Sequence, residues 1–286
     1  MDLSAALLQI LVAIAAPLVV GLSMGVDRKI TARMQNRKGP PVLQPFYDIG
    51  KLLLKRPLII NELQVLFAGA TLLFYAAALA LFVAGGDLLV IFFVAGAGSA
   101  CLVMGALSSS SPYSYIGGQR ELLAVFSYEP VLLLVVLSIG LEGSFLVGDI
   151  GAGLLTDLPL VLLSLVPVLV ILLEKSPYDI PTAHQEVITG PYVEYSGPYL
   201  AIMEVGRWVH LAFIYGLFTL FFWDPDPVVS LAGKVAIAFA ALLATIVIDN
   251  ITARLTRERM VTFMLTAGIG MVALNLLVLF IVRGSL

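Results

Sequence analysis

The side chains in this sequence that could do chemistry are carboxylates in unusual places. Glu174, Asp179, Glu186 and Glu194 fall within one stretch, EKSPYDIPTAHQEVITGPYVEYSGPY, set between two strongly apolar segments. Acids so placed sit where a bilayer would end. A carboxylate withdrawn from water holds its proton more tightly, and a nearby change of charge can switch its occupancy. Ordinary connections between helices are a few residues long and have no need of tyrosines and prolines interleaved with acids. Two readings are open, a solvated cap over the helix ends and, the sharper one, a buried proton-handling loop.

Further acids lie inside apolar segments. Glu121 and Glu129, eight residues apart on one helix, are separated by about 12 Å along the axis and about 80° around it, so both can look into one interior channel. Glu129 is deep enough that it must find a partner, such as Arg120 or Tyr128, or stay protonated. Pro130 beside it frees a carbonyl on the preceding turn. Glu204, Arg207 and His210 recur on successive turns of one face. That Glu and Arg either line the same polar path or neutralise each other. Asp249 closes a later apolar segment. No catalytic residue, metal or cofactor is expected in this chain: Cys101 is the only thiol, too few for an iron-sulfur cluster, and His184 and His210 are far apart.

The elements that must position these groups are membrane helices. The 286 residues are 60% hydrophobic and 12% charged, with mean hydropathy +1.03, which excludes a soluble domain of ordinary composition. Apolar segments near 3–26, 63–84, 88–108, 121–141, 157–173, 200–222, 231–248 and 262–282 predict an all-α integral membrane protein with eight transmembrane helices in one membrane domain, residues 1–286. The first is expected to be retained, since only Asp2 precedes it and no positive n-region does. Gly96, Gly98, Ser99, Ala100 and Gly105 give the third span a small face suited to close packing.

Half of the 16 Lys and Arg residues lie between 27 and 62, which makes that connection cytoplasmic and puts both termini outside, in the cell membrane. Within it, Leu43, Phe46, Tyr47, Ile49, Leu53 and Leu54 approximate a helical stripe opposite Asp48, Lys51 and Lys55, predicting an amphipathic helix on the cytoplasmic face. Charge alone leaves two readings open there, a topology signal binding membrane lipid and a partner site. The Gly39-Pro40-Pro41 turn argues for a fixed loop shape.

The pieces DRKITARMQNRKGPPVLQPFYDIGKLL, FSYEPVLLL, PYDIPTAHQE and VEYSGPYLA, in that order and spacing, resemble the signature segments of the respiratory complex I subunit 1 family over nearly the whole chain. The resemblance implies a subunit that joins a soluble electron-transfer arm to a membrane arm, with buried acids starting proton movement. By motif it assigns Glu129, Glu174, Asp179, Glu186 and Glu194 to a proton path, to which Glu121, Glu204 and Asp249 are added. It assigns Arg33, Arg37, Gly39, Pro40, Gln44, Asp48 and Lys51, with His184 and Gln185, to a partner interface. Quinone-reducing members usually carry an arginine where this chain has Lys175, Ser176 and Pro177. The AHQE element and compact length look more like the membrane subunit of energy-converting hydrogenases that oxidise ferredoxin and evolve hydrogen. That likeness implies soluble iron-sulfur and hydrogenase-like partners holding iron-sulfur clusters and a Ni-Fe centre, antiporter-like membrane partners, and movement of protons or sodium; no nucleic acid is implied. A quinone-site subunit of complex I is the alternative. A secondary transporter is disfavoured because no internal repeat is visible.

Overall fold

The computed structural model describes residues 3–59 and 61–284, and these are helical almost throughout, with one isolated bridge between Asp87 and Leu146 and no strand among them. The helices are α1 (Leu3–Met34), α2 (Gln44–Leu53), α3 (Glu62–Val83), α4 (Leu88–Leu107), α5 (Pro112–Glu142), α6 (Leu154–Asp157), α7 (Pro159–Leu172), α8 (His184–Val187), α9 (Pro198–Leu220), α10 (Pro227–Ile251), α11 (Arg257–Phe263) and α12 (Ile269–Gly284). A single turn of π-helix, Met264–Gly268, joins α11 to α12.

Seven of these rods, counting α11–α12 as one, are long and apolar enough to cross a membrane. The remaining expected span, 157–173, is shorter than the sequence suggests. The helix there, α7, has 14 residues. That is about 21 Å, less than a hydrocarbon core about 30 Å thick. Pro159 starts it, where a missing N–H costs nothing. It ends because Glu174 takes left-handed backbone, φ 55°, and the amides of Glu174 and Lys175 close on the carbonyls of Ile171 and Val170.

Several helices overrun their expected bounds, α1 and α5 by the most. α1 continues through the charged residues to Met34, since Arg, Lys and Met are good helix formers and nothing breaks the helix before Asn36. α5 begins at Pro112, so Arg120 and Glu121 ride inside a helix rather than at its entrance.

α5, α7 and α9 form the centre. Val131, Val135 and Ile139 of α5, Leu165 and Leu169 of α7, and Ile214 and Leu217 of α9 are wholly buried. α1, α10 and α12 lie outside and present Leu7, Leu11, Val235, Leu277 and Phe280 outward. A continuous apolar exterior of that kind is what a hydrocarbon solvent requires. At one end Asn275 of α12 caps α7, accepting from the Leu160 amide at 2.8 Å and donating to the Asp157 carbonyl at 2.7 Å. The Glu174–Tyr199 loop lies at the other.

α2 forms where a surface helix was expected, but its apolar residues divide. Phe46 packs edge-on against Trp208 of α9, ring centroids 5.1 Å apart, while Tyr47, Leu53 and Leu54 face outward.

Candidate functional site

The site is built around Arg207. Helical spacing sets Glu204 one turn before it on α9, and the break after α7 swings Glu174 across from the other side. Arg207 donates from Nη1 to Glu174 Oε2 at 2.6 Å and from Nη2 to Glu204 Oε2 at 2.8 Å. Glu121, Tyr192 and His210 join Arg207 and Glu174 around a cavity of about 30 Å³. That is room for a water molecule or two. Of the two readings open for Glu204 and Arg207, the ion pair is formed, and its Arg207 member lines the cavity.

A row of hydroxyls lies along one wall of this cavity, which Tyr75 and Tyr128 both line. The Tyr75 ring stacks on His210, centroids 4.2 Å apart, and its hydroxyl meets Ser99 Oγ at 3.1 Å, which meets the Tyr128 hydroxyl at 3.2 Å. All three side chains are buried, and in each contact either oxygen can donate. The row fits because α4 is narrow there. A Cβ on Gly98 would come within 2.6 Å of the Tyr75 ring, and one on Gly96 within 3.2 Å of Glu129 Oε1. The small face of α4 thus admits polar side chains as well as neighbouring helices. Glu129 is half-buried against Gly96 and is not among the residues that line this cavity, whereas Glu121 is.

A second cluster lies at the same end. Lys175 donates to Asp27 Oδ1 at 2.6 Å and to Asp249 Oδ2 at 3.1 Å, while the Ser176 amide donates to Asp249 Oδ1 at 3.1 Å. One lysine therefore fastens the loop to both α1 and α10. Sequence reasoning missed Asp27, which stands at the head of a basic run and reads as part of a topology signal. Its one signal is that no other acid occurs in that connection before Asp48.

A third network fixes the outer part of the loop. Arg120 pairs with Glu186 at 2.6 Å and donates to the Ile180 carbonyl at 3.3 Å. Arg254 grips Asp179 with both arms of its guanidinium and approaches Glu186 at 3.9 Å. Glu129 therefore does not have the Arg120 partner considered for it. Glu194 is half-buried and makes no ion pair among the described residues. Burial pushes the Tyr178 and Tyr195 phenols up to about 12 and Tyr192 well above the usual range, the last also facing Glu174. These phenols stay neutral at any ordinary pH.

The expected partner interface is only partly gathered. Asp48 of α2 accepts from Arg28 at 3.1 Å and from Gln44 at 3.0 Å and lies 3.8 Å from Lys51. Arg37 donates to Gln35 at 2.9 Å and Gln35 to Asn250 at 3.2 Å. Gly39 folds back on Ala32 and Lys29, and Pro40 lies beside a surface pocket shared with Asp27 and Arg37. Arg33 and Gln185 are exposed without such contacts among the described residues. The side chain of His184 lies outside the described residues.

The loop approaches α5 most closely at Gly117, where a Cβ would sit 2.6 Å from the Pro191 nitrogen. Gly117→Ala should push the Gly190–Tyr192 turn off α5 and cost about 1–3 kcal/mol, as overpacking does. A lowered apparent melting temperature of the purified protein, with faster proteolysis in the loop, checks this.

The family model described as NADH dehydrogenase matches residues 6–280. The chain belongs to the NADH dehydrogenase family, of the complex I subunit 1 type. Within that family it is 31% identical over 263 residues to the H component of the NADH-quinone oxidoreductase of Anoxybacillus flavithermus (strain DSM 21510 / WK1), covering 82% of this chain and 78% of the relative. It is 30% identical over 220 residues to hydrogenase-4 component C of Escherichia coli (strain K12), covering 70% of each. In three dimensions it is similar to a chain of the membrane-bound sulfane sulfur reductase, an archaeal respiratory membrane complex, with TM-score 0.86, 25% identity, and coverage of 97% of this chain and 100% of the other. With seven apolar rods and these relatives, it is a multi-pass membrane protein.

Proposed function

We propose that the chain is the membrane subunit of an energy-converting hydrogenase complex, anchoring a soluble electron-transfer module and coupling ferredoxin oxidation and hydrogen evolution to translocation of protons or sodium. The observation that carries this reading is the Glu174–Arg207–Glu204 triad beside Glu121 at a water-sized cavity. A guanidinium held between two carboxylates responds to any charge arriving nearby, because the acids compete for it and for protons. Electron transfer in the docked module, whose iron-sulfur clusters and Ni-Fe centre belong to partner subunits, changes charge near the 174–199 loop. The acids of the loop shift their proton occupancy, and Glu121, the hydroxyl row and Glu129 pass the change toward antiporter-like membrane partners.

In this reading α7 makes the eighth crossing, its short length tolerated because α5, α9 and α12 surround it. The loop, α2 and the basic end of α1 face the cytoplasm of a cell whose plasma membrane holds the complex, with both termini outside, and α2 rests Tyr47, Leu53 and Leu54 on the membrane surface. The hydrogenase-4 relative supports the hydrogenase assignment, as does Lys175 where quinone-reducing members usually carry an arginine nearby. The second reading, a quinone-site subunit of NADH:quinone oxidoreductase, is favoured by the Anoxybacillus relative.

Purification of the native complex in mild detergent, with identification of its subunits and metals, separates the two. Nickel with hydrogenase-like and iron-sulfur subunits is the expected result, whereas flavin-containing, NADH-oxidising subunits with bound quinone would replace the first reading by the second. Glu129→Gln, which keeps shape and removes the titrating group, should leave the complex assembled and cut ions moved per electron at least roughly tenfold, measured in sealed vesicles. A plain membrane anchor would tolerate it.

A further inference from the structure

At the end of the bundle away from the acid loop, α1, α3, α9 and α10 leave a groove of about 380 Å³, walled by Leu8, Val12, Phe82 and Leu220. Lys234 of α10 projects into it, together with Gln9 and Thr219, and Trp223 stands at its edge. Lys234 is the eighth residue of its helix, about 10 Å from the helix start at 1.5 Å per residue. It makes no hydrogen bond or ion pair with any described residue. The acids nearest it in sequence are committed elsewhere: Asp226 caps α10, accepting from the Val228 amide at 2.8 Å, and Asp224 accepts from the Asp226 amide at 2.9 Å. A cation among apolar walls needs a counter-ion, and this one has none among the described residues.

We propose that this groove binds an anionic phospholipid, with the Lys234 ammonium on the phosphate, Gln9 and Thr219 on the glycerol-ester region, and the acyl chain along Leu8, Val12 and Phe82. Three observations favour a lipid over a free anion or a neighbouring helix. Leu8 and Val12 of its wall are also exposed on the apolar outer face of α1, so the groove is open to an occupant from the hydrocarbon side. Trp223 places the groove mouth at headgroup level, where indoles concentrate. Lysine stems bury along apolar surface while the ammonium seeks the interface, which is the geometry Lys234 has here. The site is independent of the redox partners of the complex.

The test is retention of lipid by the purified intact complex in nanodiscs made from equal parts phosphatidylglycerol and phosphatidylcholine, read by native mass spectrometry after release into detergent. Wild-type complex should keep phosphatidylglycerol in preference, Lys234→Gln should lower that retention about fivefold, and Lys234→Arg should restore it. Equal retention of the two lipids by wild type, or unchanged preference in Lys234→Gln, overturns the proposal. So does loss of a membrane subunit rather than a lipid from the variant, which would make the groove a subunit interface. If Lys234→Gln does not assemble, high salt applied to wild type decides: release of phosphatidylglycerol but not phosphatidylcholine supports the site, and release of neither overturns it.

Discussion

Arg207→Met should abolish coupling in the intact complex and destabilise this chain. Its guanidinium sits between Glu174 and Glu204, all three partly or largely withdrawn from water. Removing one partner of a buried pair typically costs about 3–5 kcal/mol because the remaining charge is left uncompensated. Here the acids relieve the cost by taking up a proton, which freezes the switch in one state. The expected result is a drop of at least roughly tenfold in ions moved per electron and a lowered apparent melting temperature. Adding Glu174→Gln should restore much of the stability without restoring coupling, since it removes an orphaned charge but not the lost switch. A single Arg207→Met variant that pumps at the wild-type ratio would remove the triad from the mechanism.

Lys175→Met is the second large effect, and it is one of stability. The ammonium joins Asp27 of α1 and Asp249 of α10 to the start of the loop, with both acids mostly shielded from solvent. Without it two carboxylates face each other across the space it filled. A loss of about 3–5 kcal/mol is expected, shown by a lowered melting temperature and by proteolysis near Ser176. Lys175→Arg, whose fork can span two carboxylates, should stay close to wild type. Equal losses in both variants would mean that packing of the stem matters more than its charge.

What the sequence makes legible follows local spacing. Glu204 and Arg207, one turn apart, pair as their interval suggests, and seven of the expected spans are rods of sufficient length. The length of the remaining one is not legible because apolar residues alone do not say where a helix stops: Glu174 adopts left-handed backbone and ends α7 early. Partners distant along the chain are equally hidden. Nothing in the order of residues joins Glu174 to Arg207, Lys175 to Asp27, or Arg120 to Glu186 rather than to Glu129. Those pairings come from helix packing, which brings the loop over the ends of α1, α5, α9 and α10. Ser99, one small residue among several in the sequence, is the middle of the hydroxyl row only because Tyr75 and Tyr128 converge on it from two other helices.

That row has a consequence for direction. In each of its two contacts either oxygen can donate, so under the proposed function a proton hop along Tyr75, Ser99 and Tyr128 leaves the O–H bonds of the row pointing the opposite way. A second hop in the same sense must wait until all three have rotated back. As a wire in that proposal the row is single-shot and has no built-in polarity; it would run backward as readily as forward. Under the proposed function, what makes traffic one-way therefore resides in the acids that exchange protons with the row, through the order in which they fill and empty.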